Sequence, residues 1–228
     1  MNSKPEISLR RRTWLVALIA LVGCGAMALV DGVWMPHYFV KSAVKLTLFL
    51  LLPLLYSRYD RSVRLRELLR FDKRGAAVAL LLGLGVYAVI LGGYFLLRGV
   101  FDFSGVATAL SENAGVNRDN FVFVALYISL INSALEEFFF RGFIFRSLRE
   151  NGAIFAYLFS SVAFALYHVA MMIGWFSLPL TALIIAGLIV GGVIFNALNE
   201  RFHTLYVSWA VHMFANFAIN TIGFILLL

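Results

Sequence analysis

Three apolar stretches of this 228-residue chain carry polar side chains whose types and spacing could do chemistry. The first holds Asn132, Glu136, Glu137 and Arg141, the second His168, and the third His212 and Asn216. An ionisable side chain at the centre of a membrane helix costs roughly 2.5–3.5 kcal/mol on insertion scales. Such residues persist where they pair, line water or act. One carboxylate, two imidazoles and an amide form, once brought together, a hydrolytic constellation. A Glu kept from bulk water serves as general base toward a water molecule, with a His to orient it. A second His and an Asn amide can donate to the oxyanion of a tetrahedral intermediate.

Spacing sorts these groups into roles. Asn132 and Glu136 are four apart, with Ser129 and Ser133 near the same stripe, so they share one helix face. Glu137 is turned by about 100° and precedes Arg141 by four residues, the favourable order for an ion pair within a helix. Glu137 is therefore expected to be compensated by Arg141, leaving Glu136 to face the bundle interior. Asn151-Gly152 is suited to ending a helix and turning the chain. Glu136 before that turn and His168 after it are nearly equidistant from it, each roughly 24 Å along its helix. An antiparallel pair would set them at one level. His212 and Asn216, again four apart, continue to Asn220 on one face of the last apolar stretch, at a compatible depth.

The elements that must hold them are membrane helices. Apolar residues make up 62% of the chain and charged ones 14%, too few to cover the surface of a soluble domain this size. The mean hydropathy is +0.89. Seven runs, about Thr13–Val30, Phe39–Tyr56, Gly75–Leu97, Asn120–Phe145, Ala153–Met172, Leu178–Leu198 and Thr204–Leu227, each approach the ~20 residues that cross a bilayer. The expected fold is all-α, a polytopic bundle of about seven spans, or eight if one helix is split. The first run is read as a retained span rather than a cleaved signal, because it is long and lacks a small-residue cleavage site. Residues 1–119 form an N-terminal region of three spans, with a basic linker at 57–74 and an outer loop at 98–119. Residues 120–228 form a four-span core.

Most of the 19 Lys and Arg, of a net charge of +7, fall where they can face one side. These are Lys4, Arg10 to Arg12, Arg58, Arg61, Arg64, Arg66, Arg70, Lys73, Arg74, Arg141, Arg146, Arg149 and Arg201. Lys41, Lys45, Arg98 and Arg118 are assigned to, or beside, the opposite connections. That asymmetry predicts a multi-pass protein of the inner (plasma) membrane with a cytoplasmic amino terminus. It argues against nucleic acid as a partner, since no basic face carries base-stacking aromatics. Leu65, Leu68 and Leu69 among the bases of 57–74 suggest a short amphipathic helix on the cytoplasmic leaflet. Gly187 and Gly191 suggest a close helix contact in the sixth span. The lone Cys24 excludes an internal disulfide and a cysteine-based zinc site. His37 and His203 are read as inert.

Three motifs stand in order: Glu136-Glu137-Phe-Phe-Phe-Arg141, Phe164-Ala-Leu-Tyr-His168 and His212-Met-Phe-Ala-Asn216. Across roughly residues 120–220 the chain resembles the CPBP family of intramembrane proteases (CAAX protease and bacteriocin-processing), which includes the Ras-converting CAAX endoprotease. The resemblance implies that Glu136 with His168 activates water, that His212 and Asn216 form the oxyanion hole, and that Glu137, Arg141 and Phe164 support the site. It implies an endopeptidase acting on a membrane protein or a lipidated peptide at the bilayer, prenylated or anchored by its carboxyl-terminal tail. No cofactor is expected. The alternative is zinc held by Glu136, His168 and His212, but the chain has no HExxH, in which both ligands come from one helical turn. From other classes, a proton- or ion-coupled transporter would also line its interior with carboxylates and imidazoles. A non-catalytic bacteriocin-immunity protein would keep the fold and lose the chemistry.

Overall fold

The computed structural model describes residues 7–60, 63, 65, 68, 70–106, 108 and 116–227. Among them are seven helices long and apolar enough to cross a membrane, and no strand. They are α1 (Leu9–Trp34), α2 (Phe39–Tyr59), α3 (Lys73–Leu97), α4 (Phe121–Asn151), α5 (Ala153–Met172), α6 (Leu178–Phe202) and α7 (Leu205–Leu227). The sequence expectation of seven spans therefore holds, and the fourth runs six residues beyond its expected end. Many large apolar side chains point outward, among them Leu21, Leu81, Leu96 and Leu178, as suits helices solvated by lipid.

Local chemistry sets the helix ends. Ser8 caps α1 by accepting from the Arg11 amide at 3.4 Å, and Asp72 caps α3 by accepting from the Arg74 amide at 2.9 Å. Gly152, at φ 122°, makes the α4–α5 turn in a conformation that glycine adopts without penalty. The turn expected at Asn151-Gly152 is thus where the structure has it. Met35 at φ 45° and His203 at φ 51° end α1 and α6 in the left-handed region.

α4 is the central element. Phe139, Phe140, Phe143, Ile144 and Phe145 are all essentially inaccessible. Phe49 of α2 stacks on Phe139 with ring centroids 4.1 Å apart, so α2 is laid against α4 by aromatic contact. α5 and α6 pack along each other, as do α3 and α7. The last contact needs Gly83, because a Cβ there would fall 2.2 Å from the Phe214 ring. Between α5 and α6 the close approach is at Gly192, where a Cβ would lie 2.9 Å from Ser161. Gly187 and Gly191 meet nothing within 4 Å, which corrects their expected role. The small-residue signal was one position off, because the packed face of α6 runs through Gly192, Phe195, Asn196 and Asn199.

One end of the bundle is tied by charge. Arg12 of α1 pairs with Asp60, beyond α2, at 2.8 Å and also with Glu150 of α4. Arg149 of α4 and Tyr157 of α5 meet Glu200 of α6 at 2.6 and 2.8 Å. In the basic linker Leu65 and Leu68 are buried in the protein core. Leu69, Arg61, Arg64 and Arg66, like Lys4, lie outside the described residues, so of the three leucines of the amphipathic helix expected there Leu65 and Leu68 are the ones described.

Candidate active site

α4 is not a regular α-helix where it carries the two carboxylates. The α-helical turn Ser133–Glu137 sits between wider π-helical turns at Ile128–Asn132 and Phe138–Phe145. A π turn displaces the backbone ladder by one residue, and such turns are frequent at functional sites. Side chains of α7 bond the backbone there. Trp209 Nε1 donates to the Leu130 carbonyl at 3.1 Å, Asn216 Nδ2 to that of Ile128 at 3.2 Å and Asn220 Nδ2 to that of Ala125 at 3.2 Å. These bonds fix the register of α7 against α4, and hence the place of His212 beside the carboxylates.

Glu136 is 1% exposed and is met from three other helices. Its Oε2 lies 3.5 Å from His168 Nε2 on α5 and 3.6 Å from His212 Nε2 on α7. Its Oε1 accepts from Lys45 Nζ on α2 at 2.5 Å and from Asn132 Nδ2, one turn earlier on α4, at 2.9 Å. Lys45 Nζ also donates to Asn132 Oδ1. Glu137 faces the other way. It lies 3.3 Å from Arg141 Nη1, and its Oε1 accepts from His212 Nδ1 at 3.0 Å. The site thus holds two buried carboxylates against two buried cations, a balance that makes burial of all four tolerable.

Hydrogen bonding sets both imidazole tautomers. His168 Nδ1 faces the Phe164 carbonyl at 2.8 Å and His212 Nδ1 faces the Glu137 carboxylate, so each Nδ1 carries the proton. In the neutral rings both Nε2 atoms then present lone pairs toward Glu136 Oε2. Three acceptors converging on one point suit a water, which can donate two protons among them. Phe164 packs on both imidazoles, with centroids 4.4 Å from His168 and 5.7 Å from His212, and 4.1 Å from the Arg141 guanidinium. Phe195 stacks on His212 at 5.1 Å. The His168 side chain is 17% exposed, against 5% for His212 and 1% for Glu136, so the cluster opens on the α5 side.

The structure therefore brings Glu136, His168, His212 and Asn132 together, with Glu137, Arg141 and Phe164 immediately behind them. Asn216 stands apart: its amide is on the Ile128 carbonyl, one turn along α7 from His212. Lys45 corrects the sequence reading. The charge pattern sets it with Lys41 in or beside a connection, yet both lie inside α2, and Lys45 is 4% exposed. The signal was present, since Lys45 falls within the apolar run from Phe39. A lysine at that depth meets the same criterion that singled out Glu136. Among the described residues no group of three or more His, Cys, Asp and Glu is arranged to hold a metal ion.

Comparison with known proteins adds one finding. Residues 118–218 match the family model described as type II CAAX prenyl endopeptidase Rce1-like. No curated protein and no solved structure matches the chain. The matched segment contains α4 from before its start, all of α5 and α6, and α7 as far as two residues past Asn216.

Proposed function

We propose that the protein, whose residues 118–218 match the Rce1-like family of type II CAAX prenyl endopeptidases, is an intramembrane endopeptidase with Glu136 as its general base. The observation that carries the reading is the convergence of His168 Nε2 and His212 Nε2 on the single oxygen Glu136 Oε2, at 3.5 and 3.6 Å. A water at that point lies within reach of the base and of an imidazole that orients it. Glu136 takes one proton as the water oxygen attacks the scissile carbonyl. The C–N bond breaks as that proton passes, by way of His168, to the departing amine. The products are a new carboxyl terminus and a free amine.

His212 stabilises the oxyanion by donating from Nε2 a proton taken up from the surrounding water, and the Glu137 carboxylate at 3.0 Å from Nδ1 balances the charge this adds. Asn216 joins as a second donor if its side chain leaves the Ile128 carbonyl when substrate binds. Arg141 and Phe164 support the site by holding Glu137 and the two rings. The metal-free mechanism is favoured over zinc by Lys45, whose ammonium already occupies Glu136 Oε1 and would oppose a second cation beside it.

The substrate class follows from the family and from the site's surroundings: a protein tail delivered from the bilayer, prenylated or anchored by its carboxyl end. The basic ends of α1, α2, α4 and α6 are assigned to the cytoplasmic side of the cell membrane. The four helices from residue 120 onward are taken as the catalytic core. The test is cleavage of quenched-fluorescent peptides, prenylated and unmodified, by the purified protein in lipid nanodiscs. Product masses that define one internal cut support the reading. Absence of cleavage across the panel, with ion-coupled uptake by proteoliposomes instead, would contradict it.

A further inference from the structure

Glu136 has a partner from outside the segment that matches the protease family. Lys45 stands on α2, in the N-terminal region, 4% exposed and at membrane depth. A lysine so placed is retained only where its charge is used or matched. Its ammonium is held by two acceptors and flanked by two aromatic rings. Nζ donates to Glu136 Oε1 at 2.5 Å and to Asn132 Oδ1, and it lies 5.0 Å from the Tyr167 ring and 5.4 Å from the Phe49 ring. Phe49 is itself fixed by its stack on Phe139 of α4. Two of its three ammonium protons are thus committed to Glu136 and Asn132, so most of its donor capacity is spent on holding the carboxylate.

The consequence falls on Glu136. Lys45 and Asn132 both donate to Oε1, at 2.5 and 2.9 Å, which fills that oxygen and fixes the rotation of the carboxylate. Oε2 is then the only oxygen left to face His168 and His212. We infer that Lys45 is a positioning residue for the proposed reaction: it selects Oε2 as the base atom and holds it at the point where the two imidazoles meet. α2 is on this view part of the active site rather than an anchor for the four-helix core. The inference rests on Glu136 being the general base.

The test compares Lys45→Arg, Lys45→Gln and Lys45→Met in the full-length protein, with each variant's folded fraction isolated by size exclusion before kcat and KM are measured. A positioning role gives the order Lys, then Arg, then Gln and Met together. Arg should recover kcat to within about tenfold of wild type, and Gln and Met should lose roughly 10- to 100-fold with KM little changed. A packing role gives the reverse, because Met matches the lysine stem between Phe49 and Tyr167 while the larger Arg crowds them. Met at near wild-type kcat, or Arg as the poorest of the three, would overturn the inference. A wild type that cleaves no peptide would instead overturn the protease reading beneath it.

Discussion

The buried pair behind the site offers a quantitative test of how it is held. Arg141 is fully buried, its Nη1 3.3 Å from Glu137 Oε1, and its guanidinium lies 4.1, 5.0 and 5.9 Å from the rings of Phe164, Phe195 and Phe140. None of its nitrogens makes a well-aligned hydrogen bond, so it is kept in place by Glu137's charge and by three aromatic faces. Arg141→Met leaves the Glu137 carboxylate buried without its cation, and should cost about 3–5 kcal/mol of stability. Glu137→Met strands the arginine at a similar cost. With both replaced, no charge is left unmatched, and the double variant should lie within about 1–2 kcal/mol of wild type. The coupling between the two positions is then about 4–9 kcal/mol, well beyond the few tenths expected of independent sites. Reversible unfolding in mixed micelles, followed by tryptophan fluorescence, reads all four corners of the cycle. The double variant should fold yet cleave slowly, having lost the acceptor that holds His212 Nδ1. Additive losses in the double variant, or an Arg141→Met protein as stable as wild type, would refute the reasoning.

Two further outcomes follow from geometry already described. Gly83→Val should destabilise by at least about 1–3 kcal/mol, because even its Cβ would meet the Phe214 ring at 2.2 Å and force α3 off α7. Gly85→Val, where nothing lies within 4 Å, should be tolerated, and equal stability of the two variants in the same unfolding assay would contradict the packing described. Exhaustive dialysis against a zinc chelator should leave peptidase activity within about twofold, since the proposed chemistry draws only on side chains. Activity that is lost on dialysis and restored by zinc would replace the glutamate mechanism with a metal one.

Much of this arrangement is legible in the sequence because membrane depth makes polar residues conspicuous. The i,i+4 spacing of Asn132 and Glu136 gives their hydrogen bond, at 2.9 Å in the structure. The order Glu137 then Arg141 gives the ion pair, even though a π turn carries Arg141. Equal path lengths from Gly152 give the level at which Glu136 meets His168. What spacing could not give is contact between helices far apart in the chain. Helical periodicity on α7 puts His212 and Asn216 on one face, but Asn216 meets a backbone carbonyl of a π turn that no side-chain pattern announces. Lys45 was passed over for another reason. The positive-inside count treats bases as flags of topology, and so sets this buried lysine in or beside a connection. Gly192 in place of Gly187 and Gly191 shows the same limit: small residues are frequent in membrane helices, and only the tertiary contact tells which one is used.

The most direct measurement is kcat/KM for Glu136→Gln beside wild type, in nanodiscs, on a peptide that the wild type cleaves. Glutamine is the apt replacement, since its carbonyl oxygen can still accept from Lys45, whereas alanine would strand that buried ammonium. The expected result is a variant that still folds, less stable by up to about 3–5 kcal/mol because Lys45 loses its counter-charge, whose kcat/KM falls roughly 10²- to 10⁴-fold through loss of the general base. A folded Glu136→Gln protein that cleaves within about threefold of wild type would contradict the central claim.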